Sequence, residues 1–166
     1  MIYQELTNTA LVLKAKNVSF DRIGNALSQL RVIDPDKTKS IYQELTNVEL
    51  VVKAQNASFN RIGNTLNQLR VIDHDNTRSI YQELTNAELV LKAKNVSFER
   101  IVHALNTLII IDPDKTKLIY QELTTKELVL KAQTVSLDRI NHALNQLNFI
   151  DPDKTKLIHQ ELTNKT

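Results

Sequence analysis

The chain has 166 residues, 42% of them apolar, enough to bury a sizeable core, and two Gly and three Pro leave little from which to build the tight turns of a β-rich fold. A net charge of +2 falls far short of the Lys/Arg excess with which a protein grips duplex DNA by phosphate neutralisation alone, and the absence of cysteine excludes disulfides and thiolate metal sites. No apolar run approaches the roughly 20 residues of a membrane helix, and Met1 to Leu6 lacks the basic-then-apolar build of a signal peptide. The expectation is an intracellular, cytoplasmic, all-α protein, with export by a signal-independent route as the lesser alternative.

The string Ile-Tyr-Gln-Glu-Leu-Thr begins at Ile2, Ile41, Ile80 and Ile119 and returns as Ile-His-Gln-Glu-Leu-Thr at Ile158. The step is 39 residues, and 19 of the 39 positions hold the same residue in all four full copies, too many for a chance of composition. A unit this short cannot bury its own apolar face, so successive copies must stack. The sequence therefore reads as one repeat domain over 1–166, an all-α α-solenoid of four 39-residue helical repeats (2–40, 41–79, 80–118 and 119–157) plus a partial fifth (158–166). Right-handed winding is expected by analogy with other helical arrays.

Within a unit the first helix starts at Asp34-Pro35, Asp112-Pro113 and Asp151-Pro152, where Asp caps and Pro fits the first turn. The second unit has His74 in place of Pro. Ile41 and Leu45 lie four apart on one face of this helix, and then the apolar phase slips, because Leu50 and Val51 follow five and six residues on. The slip falls on a Thr-x-x-Glu capping box at Thr46/Glu49, Thr85/Glu88 and Thr124/Glu127, incomplete in the first unit, which has Thr7 but Ala10. The unit thus has either three helices or two, the first of them kinked. The last helix begins at an invariant Ser N-cap (Ser19, Ser58, Ser97, Ser136) and runs about 14 residues to Ile33 and its counterparts.

On that last helix Phe20, Ile23, Leu27, Leu30 and Ile33 recur at spacings of three and four, an apolar stripe that reads as core, with Leu137 replacing Phe in the fourth unit at similar volume. The other side carries the variation between copies. It comprises Asp21/Asn60/Glu99/Asp138, Asn25/Asn64/His103/His142, Ser28/Asn67/Asn106/Asn145 and Gln29/Gln68/Thr107/Gln146. At these spacings each helix bears one polar ridge, and stacking turns the ridges into a ladder. Amides and imidazoles offer donors and acceptors to base edges, as in helical arrays that read single-stranded RNA with a few side chains per base. The constant Arg22, Arg61, Arg100 and Arg139, with Lys14, Lys53, Lys92 and Lys131 on the preceding helix, are candidate phosphate contacts.

Asn-Ala-Leu-x-x-Leu at Asn25–Leu30 and His-Ala-Leu-x-x-Leu at His103–Leu108 and His142–Leu147, inside a 39-residue unit, resemble the octotricopeptide repeat, a family of helical-pair repeats of 38 to 40 residues. The resemblance implies RNA binding. The chain departs from the family in having Ser28 or Asn67 where an aromatic often follows the Leu.

Catalysis is not expected. His74, His103, His142 and His159 are not read as a metal site, no two of them standing at ligand spacing with each other. Glu5, Glu44, Glu83 and Glu122, repeating once per unit, read as a solvated face or inter-unit ion pairs, and no Gly-rich phosphate loop or nucleophile–base set can be assembled. No metal or cofactor is implied. A groove that takes an extended peptide or a helix of a protein partner is the alternative to RNA, and end-to-end self-association is a third reading, because the chain starts and stops within the same segment.

Overall fold

The computed structural model describes residues 7–164. Among them the chain is all-helical, with 12 helices, no strand and 82% of residues in helix. In chain order these are α1 (Asn8–Ala15), α2 (Phe20–Ile33), α3 (Pro35–Glu44), α4 (Asn47–Gln55), α5 (Phe59–Ile72), α6 (His74–Glu83), α7 (Asn86–Ala93), α8 (Phe98–Ile111), α9 (Pro113–Glu122), α10 (Thr125–Ala132), α11 (Leu137–Asn148) and α12 (Pro152–Asn164). No helix among the described residues is long and apolar enough to cross a membrane.

The phase slip is a break between two helices rather than a kink. Leu45, Leu84 and Leu123 adopt extended backbone between α3 and α4, α6 and α7, and α9 and α10, so the second, third and fourth units carry three helices each. The capping residues explain why the break falls there: Thr7, Thr46, Thr85 and Thr124 each accept a hydrogen bond from the backbone N–H three residues on, at 3.1–3.2 Å. The incomplete first box is capped as well as the others, because the Thr hydroxyl alone satisfies that donor. Glu49 and Glu127 also pair with Lys16 (3.5 Å) and Lys94 (3.7 Å) of the preceding unit, and Glu127 accepts from the Thr124 hydroxyl at 3.0 Å. Asp34, Asp73, Asp112 and Asp151 likewise accept from the N–H of Lys37, Asn76, Lys115 and Lys154. The serine caps are weaker than their spacing implies. Only Ser97 accepts a cap bond, at 3.4 Å, while the Ser58 hydroxyl is drawn off to Asn60 Oδ1.

The long helices α2, α5, α8 and α11 pack side by side in one row, in closest contact between α5 and α8 and least between α8 and α11. Each ten-residue helix packs on the long helix and the short helix before it, as α6 does on α5 and α4. The core runs through all of these contacts. Phe59, Ile62, Leu66 and Leu69 are fully buried, as are Tyr42, Tyr81 and Tyr120. Two positions of the expected core stripe lie outside it. Leu137 is 71% exposed, because the side of α11 on which it stands is not covered as α2, α5 and α8 are at Phe20, Phe59 and Phe98, and Ile33 is 50% exposed.

Polar contacts tie each ten-residue helix to its counterpart next along the stack, α3 to α6, α6 to α9 and α9 to α12. Tyr42 OH meets Thr77 Oγ1 at 2.7 Å, and Tyr81 with Thr116 and Tyr120 with Thr155 do the same at 2.8 Å. Thr77, Thr116 and Thr155 already donate their single hydroxyl proton to the carbonyls of Asp73, Asp112 and Asp151, so each tyrosine is the donor. Gln43, Gln82 and Gln121 donate to the carboxylates of the same three aspartates. Burial opposes charge on Asp73 and Asp151, but the bonds from Gln43 and Gln121 and from the capped N–H groups outweigh it and hold both carboxyls below the usual range.

Candidate ligand-binding face

The row of long helices carries the predicted ladder on its exposed side. Arg22, Asn25, Gln29, Arg61, Asn64, Arg100, His103, Arg139, His142 and Asn145 are exposed, whereas Ser28, Asn67, Asn106, Gln68 and Gln146 are half-buried. Thr107 departs from the pattern: it is buried and donates to its own helix at Ala104 O, which removes it from the face. Neighbouring ridges touch directly. Gln68 Nε2 donates to Asn25 Oδ1 at 2.8 Å across α2 and α5, and His103 Nε2 lies 3.2 Å from Asn64 Oδ1 across α5 and α8. Asn67 accepts from Arg70 Nε on its own helix.

Small residues at the crossings set these approaches. A Cβ placed on Gly63 would lie 3.0 Å from both Cα and Cβ of Ala104 and 3.1 Å from Thr107 Oγ1; on Gly24 it would lie 2.7 Å from Thr65 Cγ2 and 2.8 Å from Gln68 Oε1. The third crossing has Val102 at the corresponding position, buried at 2% exposure. Clefts remain between the ridges. One of about 390 Å³ is lined by Asn25, Arg61, Asn64, Asn67 and Gln68, and one of about 330 Å³ by Glu99, His103, Asp138, Arg139, His142 and Gln146 above Val102 and Ala143. A third, of about 790 Å³, opens where α2 and α5 begin, between Arg22, Arg61, Lys16 and Lys53.

The two sets of cations are placed differently. Lys53 Nζ donates to the carbonyls of Lys16 and Val18 (2.9 and 2.6 Å), Lys92 to those of Gln55 and Ala57 (both 2.7 Å), and Lys131 to that of Val96 (2.8 Å). These carbonyls close the short helix of the preceding unit, where orphan acceptors and the negative end of the helix dipole favour a cation. Sequence reading took these lysines as phosphate contacts, and the structure places their ammonium groups in the packing between units; Lys14 is exposed. Lys115 and Lys154 do a similar thing for Leu84 and Leu123 while sitting over the rings of Tyr81 and Tyr120, at 5.3 and 5.4 Å. Burial lowers both ammonium pKa values against the pull of Asp112 and Asp151. By contrast, the side chains of Arg22, Arg61 and Arg100 form no ion pair among the described residues, and Arg139 meets only the exposed Glu99, at 3.5 Å. The Tyr–Thr links and the glycine crossings went unseen in the sequence reading, although Tyr and Thr belong to the 19 invariant positions.

Comparison of the chain with protein-family models, with curated proteins and with solved structures finds no match.

Proposed function

We propose that the chain is a non-catalytic α-solenoid binding module of four 39-residue units and part of a fifth, which takes single-stranded RNA along the row of long helices. One observation carries the reading: residues 39 to 43 apart, Asn25 with Gln68 and Asn64 with His103, come within hydrogen-bond reach across an exposed face, so base-reading groups run along the row at one step per unit. The arginines support it. Each stands in the first turn of its helix, where the macrodipole disfavours a cation; that placement does nothing for the helix and leaves the guanidinium of Arg22, Arg61 and Arg100 free for a phosphate, with Arg139 held only by the exposed Glu99. Phosphate contact is accordingly assigned to Arg22, Arg61, Arg100 and Arg139, with Lys53, Lys92 and Lys131 holding the units together. The octotricopeptide-like motif agrees with this assignment.

A second reading, a protein or peptide partner or a second copy of the chain stacked on it, is favoured by a different observation. Leu13, Val52, Leu91 and Leu130, one per short helix, are each more than half exposed and form an aliphatic line. Fluorescence anisotropy with labelled single-stranded RNA, against duplex DNA at low and physiological salt, separates the two. Salt-sensitive binding of RNA alone, lost in the Asn64→Ala/His103→Ala/Asn145→Ala variant and with a salt slope reduced by about 1 for each arginine removed, supports the first. No binding even at low salt overturns it in favour of the aliphatic line.

A further inference from the structure

We propose that the cleft between α8 and α11 is a subsite for one nucleotide, which seats its base on Val102 and Ala143 between the imidazoles of His103 and His142. The inference rests on the RNA-binding reading and says where along the row a nucleotide docks first. Two of the three crossings are bridged by the protein's own side chains, Gln68 to Asn25 and His103 to Asn64, with a cleft of about 390 Å³ beside the first whose amides are already bonded. The third is not: the side chains of His142 and Gln146 have no hydrogen-bond partner among the described residues, and the one link across the cleft is the exposed Arg139–Glu99 pair.

Two differences accompany this, His103 in place of the amides Asn25 and Asn64 on the ridge and Val102 in place of Gly24 and Gly63 beneath it. Gly24 and Gly63 leave no room for a Cβ at their crossings, whereas Val102, buried against α11 in the same register, puts a branched side chain there, and α8 and α11 make the least extensive contact in the row. The result is a cleft of about 330 Å³ with an apolar floor and a polar rim, at the small end of the range for ligand sites, roughly 300–1,000 Å³. That combination suits a nucleobase. Its face needs apolar or aromatic surface, which the floor and the imidazoles provide, and its edge needs both a donor and an acceptor, which the Gln146 amide provides. Glu99 and Asp138 on the same rim accept from an exocyclic amino group, and Arg139 at the mouth meets the phosphate. An aliphatic peptide side chain would use the floor and leave His142 and Gln146 unpaired.

The test is an NMR titration of the full chain with adenosine 5′-monophosphate, beside anisotropy with a labelled single-stranded RNA. The nucleotide is expected to shift the ring resonances of His103 and His142 and leave the side-chain amides of Asn25 and Gln68 in place. Val102→Gly, which reproduces the residue of the other two crossings, and Gln146→Ala are each expected to weaken nucleotide binding about tenfold or more while helicity by circular dichroism is retained. Nucleotide binding that is unchanged in both variants, or that shifts other residues, overturns the subsite. RNA binding without any mononucleotide binding overturns it too and leaves the broader reading standing, whereas failure of both ligands overturns both.

Discussion

The α5–α8 and α8–α11 crossings are made from the same positions of successive units, yet the first is a seam and the second a cleft. At the seam Gly63 lets the backbone of α8 approach at Ala104, and the ridges come close enough for Asn64 and His103 to bond. At the cleft Val102 occupies the crossing and the ridges stay apart. On the ridge Asn64 faces His103 at the seam, whereas His103 faces His142 at the cleft. Whether the polar face satisfies itself or is left for a ligand thus depends on the ridge pair and, one layer down, on the volume of the largely buried residue at the crossing, Gly63 or Val102.

The largest expected effect separates the covered part of the row from its last helix. Phe59 is fully buried and Leu137 is 71% exposed at the corresponding position. Phe59→Ala is expected to cost about 3–5 kcal/mol and Leu137→Ala to stay within about 0.5 kcal/mol, read as shifts of the urea midpoint. Equal losses would mean that α11 is as covered as α5.

Alkaline pH acts on what all the junctions share. Tyr42, Tyr81 and Tyr120 link α3 to α6, α6 to α9 and α9 to α12, and burial raises all three hydroxyl pKa values, that of Tyr120 to about 12, against the lowering by the threonine bond. A raised folded-state value means that stability is fully present below the unfolded value, about 10, and is lost as pH rises through the folded ones. Lys115 and Lys154 work in the opposite sense, since burial depresses their values and deprotonation relieves that penalty. The net loss therefore appears above about pH 10.4, where free lysine has titrated. In a Tyr3→Phe background, phenolate absorbance and loss of helical circular dichroism should rise together; phenolate forming near pH 10 with the helices intact would refute the buried links.

A more local break is Gly63→Val. The added methyls meet Ala104 backbone rather than a movable side-chain end, so the variant is expected to lose about 1–3 kcal/mol as an overpacked crossing and to convert the seam into a second cleft, visible as a changed His103 ring resonance. Gly24→Ala meets the ends of Thr65 and Gln68 instead and should cost less than Gly63→Val.

The sequence made the helix starts legible because each is written locally: Asp before Pro, Thr three residues before Glu, Ser before the apolar stripe. What it hid depends on what segments 35 to 37 residues away bring. Lys53 looks like a solvent-facing cation until the carbonyls of Lys16 and Val18 arrive beneath it from 35 and 37 residues earlier. Tyr42 and Thr77 are two invariant positions among 19 until the stack sets them 2.7 Å apart. Leu137 fits a core stripe by period, but period reports which face of a helix is apolar and is silent on whether anything covers it. The candidate site was legible as a set of polar positions; that two of its three crossings would be bridged and the third not was illegible, because it depends on which residues of neighbouring helices the stack brings face to face.

The smallest effect sharpens the comparison most. The Asn64–His103 bond lies at the surface, at 3.2 Å, where water replaces either partner readily, so Asn64→Ala should change stability by no more than about 0.5 kcal/mol. If the bond itself seals the α5–α8 seam, this variant would gain mononucleotide binding there, seen as a second set of shifts beside those at His142. If Gly63 seals it by drawing the helices together, Asn64→Ala opens nothing, and only a larger residue at 63 creates a second site. The close approach of Gly63 to the Ala104 backbone favours the second outcome, because a surface hydrogen bond worth a few tenths of a kcal/mol cannot hold two helices closer than their packed side chains allow.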